Sequence, residues 1–82
     1  MSNEKGLQDA HVRIGTKQTV KTVEMGQAAE VFVAKDCERR LISKIAALCA
    51  SHDVKITYVD TMNDLGKACG IEVGAAMAVI VK

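Results

Sequence analysis

Along this chain the spacing of apolar positions switches back and forth between that of helices and that of strands. Residues 3–11 predict a first helix, capped by Ser2 or Asn3, with Leu7 and Ala10 on one face. Val12-Arg13-Ile14 is a short strand ending at Gly15. Thr16 offers the next N-cap, and Val20 and Val23 keep helical spacing until Gly26. Glu30-Val31-Phe32-Val33-Ala34 is β-branched and reads as a strand. Asp36 then caps the longest helix, about residues 37–51, with Leu41, Ile42, Ile45, Leu48 and Cys49 as its apolar stripe. Lys55-Ile56-Thr57-Tyr58-Val59 is a third strand. Thr61-Met62-Asn63-Asp64 has the form of a capping box, with Asp in place of the usual Glu, and opens a short helix that Gly70 closes. Ala75-Ala76-Met77-Ala78-Val79-Ile80-Val81 is almost wholly apolar, the pattern of a central strand buried on both faces.

Helix and strand thus alternate four times, which predicts an α/β fold: a three-layer α/β/α sandwich around a four-stranded sheet. The pattern does not set the order of the strands. Eighty-two residues make a single domain, 1–82, with no linker, repeat or low-complexity stretch and no proline. A chain this short buries only about 60–65% of its unfolded surface. Its hydrophobic content of 49%, mostly aliphatic, is ample for a core.

One Tyr and one Phe are too few to build the aromatic platforms on which single-stranded nucleic acids stack. The three cysteines (Cys37, Cys49 and Cys69) show no C-x-x-C spacing and no histidines at zinc-finger distances, so no metal or other cofactor is expected. Reduced thiols, a polar N-terminus and the lack of a membrane-length apolar run fit a soluble cytoplasmic protein with no membrane partner. The net charge is only +1, but residues 13–44 hold seven bases against four acids. That local excess favours a polyanionic partner, although an ordinary solvated surface would read the same way.

Enzymatic chemistry finds no support. His11 and His52 are far apart and adjoin no nucleophile, and they read as surface or helix-end residues. Gly66-Lys67 lacks the spacing of a phosphate loop, and Ala68 replaces the hydroxyl that such a loop needs. Gly66, Gly70 and Gly74 match G-x-x-x-G, a dimerisation signal only within a long apolar span. Here they predict close helix packing, a C-cap and a flexible loop end. Between them Ile71 and Val73 are β-branched apolar residues in a stretch that should be loop, where they either tuck into the core or touch a ligand.

The segment Gly15-Thr16-Lys17-Gln18-Thr19-Val20-Lys21 predicts a basic helix start. Free amides and the positive dipole end attract phosphate there, and Lys17 and Lys21, four apart, repel each other unless an anion lies between them. The Gln18 amide can both donate and accept, which suits a base edge. An ordinary polar first turn is the plainer reading.

Taken with Val33-Ala34-Lys35-Asp36 and Leu65-Gly66-Lys67-Ala68-Cys69-Gly70-Ile71-Glu72-Val73-Gly74-Ala75-Ala76, this segment closely resembles the L7Ae ribosomal-protein family, in particular its small bacterial, YbxF-like branch. The resemblance covers nearly the whole chain in order and spacing. It implies a mixed four-stranded sheet, no catalytic activity, and binding to kink-turn RNA, a sharply bent helix built around tandem sheared G·A pairs. By that resemblance Lys17, Gln18 and Lys21 enter the widened groove, and Ile71, Glu72 and Val73 cover an extruded nucleotide. Gly15 and Thr16 bring backbone near the RNA, and Lys35, Arg39 and Lys67 contact phosphate. Archaeal and eukaryotic members carry Asn-Glu where this chain has Lys17-Gln18, the form shared by the bacterial branch. The Gln carbonyl then replaces part of the carboxylate's accepting role.

The partner so implied is structured RNA containing a kink-turn, ribosomal or riboswitch-type, rather than DNA. The ribosome is one assembly that carries such RNA, and a monomer is expected. A ribosome-associated protein-interaction module without specific RNA readout is the alternative, and a small-molecule regulator a third.

Overall fold

The computed structural model describes residues 11–82, so the helix expected over residues 3–11 lies outside the described residues. Seven elements follow in order: β1 (Val12–Ile14), α1 (Thr16–Glu24), β2 (Ala28–Ala34), α2 (Arg39–His52), β3 (Lys55–Val59), α3 (Met62–Cys69) and β4 (Met77–Val81). The four strands form one mixed sheet in the order β1-β4-β2-β3. β4 lies antiparallel to both β1 and β2, whereas β2 and β3 are parallel, joined by the α2 crossover. This central place explains the apolar run of β4: with a strand on each side and helices above and below, Met77, Ala78 and Val79 are completely buried.

The period of two divides the sheet residues between two cores. Val31, Val33, Met77 and Val79 face α1 and α2, where they meet Val23, Ile45 and Cys49. Their neighbours Ala34 and Ala78 face the opposite layer and pack with Leu65 of α3 and Ala75, flanked by Phe32, Ile71 and Ile80. Side chains as fully buried as Ile45 and Leu65 each contribute about 1.5–3 kcal/mol. The three described helices therefore cover both faces of the sheet, as the alternation of elements predicts.

Helix starts depart from expectation in two places. Thr16 is not an N-cap: Gly15 holds that position, at φ 114°, and Thr16 is already helical. An L-residue rarely adopts that φ, and the Gly15 amide is fixed there by donating to the Met77 carbonyl at 2.9 Å. Nor does Asp36 cap α2, which begins two residues later than expected behind Glu38, with no side-chain cap. The Asp36 carboxylate instead accepts a 2.8 Å hydrogen bond from the Met62 amide at the start of α3. β2 begins at Ala28, ahead of the expected Glu30, with a register shift between Ala28 and Glu30. Ala75 and Ala76 belong to the loop before β4. Thr61 does cap α3, accepting from the Asp64 amide at 3.0 Å, and Gly70 closes it in the left-handed region.

Candidate nucleic-acid interface

Three strands end, and one begins, at the same edge of the sheet. β1, β2 and β3 all run toward it, and β4 starts from it. Backbone hydrogen bonds cross this edge from Gly15 N–H to the Met77 carbonyl, from Ala34 N–H to Ala76 and from Lys35 N–H to Val59. The start of α1, the β2–α2 loop, the start of α3 and the end of the α3–β4 loop are thereby brought together from segments up to sixty residues apart.

Among the described residues, no acid or capping side chain competes with an incoming anion at the start of α1. Its first turn contains no acid, and no side chain caps it. The first intrahelical bond is donated by Thr19 to the Gly15 carbonyl at 3.0 Å, which leaves the amides of Thr16, Lys17 and Gln18 without helical partners. Lys17, Gln18 and Lys21 are exposed, while Thr19, Thr22 and Val23 point into the core. One face of α1 therefore anchors the helix and the other presents two ammonium groups and an amide.

The glycine-rich loop is stitched back along α3. Ile71 N–H donates to the Gly66 carbonyl and Ala75 N–H to the Met62 carbonyl, each at 3.0 Å. Gly66 is buried against the loop, and a Cβ there would fall on the Val73 carbonyl oxygen. Gly74 is not a free loop end, because its own Cβ would stand 3.2 Å from that of Met62. The two apolar residues divide: Ile71 is half-buried against the Leu65 cluster, whereas Val73 is 68% exposed. The reading in which both tuck into the core does not describe Val73. Glu72 between them is exposed.

Of the candidate phosphate contacts, Lys35 is held 3.5 Å from Asp60, so part of its charge is already balanced. Arg39 opens α2, whose first turn also lacks an acid, and Lys67 lies in the last turn of α3; both are exposed. Two further bases join this surface through tertiary packing. Arg13 of β1 shares a cleft of about 220 Å³ with Gln18, Lys21 and Met25. Lys44 of α2 lines a groove with Lys17 and Lys21. Both bound the basic stretch 13–44, but the sequence pattern did not place them beside the start of α1. Among the described residues no cluster of side chains could hold a metal ion.

Comparison with known proteins shows the family and the fold. The ribosomal protein L7Ae/L30e/S12e/Gadd45 family matches residues 3–82. The chain is 48% identical over 82 residues to an RNA-binding protein of Halalkalibacterium halodurans, covering all of both chains. It is 46% identical over the same length to RNA-binding protein YbxF of Geobacillus stearothermophilus, again covering both chains completely. The large ribosomal subunit protein eL8 of Halobacterium salinarum is 38% identical over 71 residues, 85% of this chain and 59% of that protein. Among solved structures, the Giardia lamblia 15.5kD RNA binding protein superposes with a TM-score of 0.81 at 27% identity, over 90% of this chain and 62% of that one. The chain belongs to the ribosomal protein L7Ae/L30e/S12e/Gadd45 family.

Proposed function

We propose that this chain is a non-catalytic RNA-binding protein that recognises and stabilises kink-turn motifs. The observation that carries the reading is the Gly15–Met77 hydrogen bond, which couples an uncapped, acid-free helix start to the end of the loop bearing Val73. That the bacterial relatives are named RNA-binding proteins supports RNA as the partner.

Regular A-form RNA hides its major groove from side chains, so base reading there needs a distorted helix. A kink-turn offers one. Lys17 and Lys21 would meet phosphates, Gln18 would meet the edges of the G·A pairs, and Val73 would pack on the unstacked base. Binding selects the kinked RNA from its extended form, and the stabilisation is limited by the difference in affinity for the two.

Calorimetric titration with a kink-turn RNA, and with the same RNA carrying a disrupted G·A pair, tests this reading. Binding that is lost on disruption supports it, and equal binding to both RNAs overturns specific readout. Binding to neither favours the protein-interaction alternative. Three to five phosphate contacts give a log–log salt slope of roughly −2 to −4, and a slope near zero would remove the electrostatic part.

A further inference from the structure

Beside the helix start lies a groove of about 630 Å³ lined by Thr16, Lys17, Val20, Lys21 and Glu24 of α1 and by Lys44 of α2. Lys17, Lys21 and Lys44 are exposed around half-buried Val20. The ion pairs of the described residues are Lys35–Asp60 and Lys55–Glu30, so none of these three lysines has a carboxylate partner there. Three exposed ammonium groups around one apolar floor favour an anion entering between them. The end of the groove away from the start of α1 is different, because Glu24 stands in the last turn of the helix and repels phosphate.

We propose that this groove is a second RNA contact, which takes the sugar–phosphate backbone of the helix flanking the kink, with Lys44 as its anchor on α2. The proposal rests on RNA being the partner. Charge complementarity and continuity argue for RNA: Lys17 and Lys21 line the groove and also belong to the base-reading turn, so a strand leaving that turn passes directly onto Lys44. Ribose carbons suit the Val20 floor, and phosphates suit its ammonium rim. Arg40, four residues before Lys44 and also exposed, extends the basic face of α2 by one turn toward its N-terminus. Glu24 sets the polarity of the track by closing its far end.

The test uses the 82-residue chain and its Lys44→Gln and Glu24→Gln variants. Binding is measured across a salt series to a kink-turn with full flanking helices, to the same RNA with a disrupted G·A pair, and to a plain duplex. Lys44→Gln should bind the kink-turn several-fold more weakly and lower the steepness of the salt slope by about one. Over a fourfold rise in salt, wild-type protein should then lose about fourfold more affinity than Lys44→Gln. Glu24→Gln should bind several-fold more tightly. Thermal melting checks that both exposed substitutions leave the fold intact. An unchanged affinity and slope for Lys44→Gln overturns the proposal. So does unchanged RNA binding with lost co-sedimentation on ribosomes, which would make the groove a protein-docking face. Equal wild-type binding to intact and disrupted kink-turns removes the specific reading above, while a slope difference at Lys44 still establishes the second contact.

Discussion

Gly66 of α3 lies so close under Val73 that a single methyl group at position 66 would occupy the site of the Val73 carbonyl oxygen. That approach sets the height of the loop over the helix, and both neighbours are backbone, so neither can rotate away. Gly66→Ala should therefore push the loop off α3. The expected cost is about 1–3 kcal/mol of stability, together with a loss of RNA affinity. Better helix propensity returns only about 1 kcal/mol of this. Denaturant unfolding and RNA titration of the variant check both effects, and an unchanged melting curve would show that the approach is not tight.

Val73 and Ile71 separate binding from folding. Val73 is 68% exposed, so Val73→Asp should leave the thermal midpoint nearly unchanged while weakening RNA binding about tenfold, the effect of losing roughly 1.4 kcal/mol of contact. Ile71 packs half-buried against the cluster around Leu65, so Ile71→Ala should cost about 1–2 kcal/mol of stability. Paired melting and binding curves give the answer. A large loss of stability in Val73→Asp with unaltered affinity would return Val73 to the core.

Features encoded within a few residues were legible in the sequence, and those that depend on distant partners were not. The Thr61 cap and the Gly70 stop each involve groups three or four residues apart, and both appear where the pattern puts them. Asp36 has the right residue type for capping α2 but accepts from Met62, 26 residues further on, a competition that no local pattern reveals. Gly15 took the cap position from Thr16 because Met77, on the neighbouring strand, fixes its amide. The Lys17 and Lys21 half of the site was visible as a helix start. The Lys44 half arises only when α2 packs beside α1. Strand order was illegible for the same reason: alternation says which face a residue takes, not which strand lies next to it.

The thiols should be unreactive in the folded protein. Burial pushes the Cys37 thiol above its ordinary 9.0, helped by the charges of Asp36 and Glu38 and opposed by a backbone hydrogen bond. Burial alone pushes Cys49 and Cys69 up. A pKa raised on folding contributes stability that is full below the unfolded value and is lost as pH rises through the folded one. Unfolding free energy should thus decline on the alkaline side of about 9. Alkylation at neutral pH should be slow for all three in the native state, slowest for buried Cys49, and fast in denaturant. Rapid native labelling of Cys49 would contradict the burial.

Thr19 offers a gain rather than a loss. Its side chain is completely buried in α1, yet among the described residues its hydroxyl has no hydrogen-bond partner. Thr22, one turn on, donates its hydroxyl to the Gln18 carbonyl at 2.7 Å and so satisfies it within the helix. Burying an unsatisfied hydroxyl costs about 1–3 kcal/mol, and Val is nearly the same shape with similar helix propensity. Thr19→Val should therefore be neutral or stabilise by up to about 2 kcal/mol. Thr22→Val removes a made bond and should not stabilise. Thr19 points away from the exposed face of α1, so RNA affinity should be unchanged in Thr19→Val. Chemical denaturation resolves the difference, and a destabilised Thr19→Val would mean that its hydroxyl finds a partner in solution.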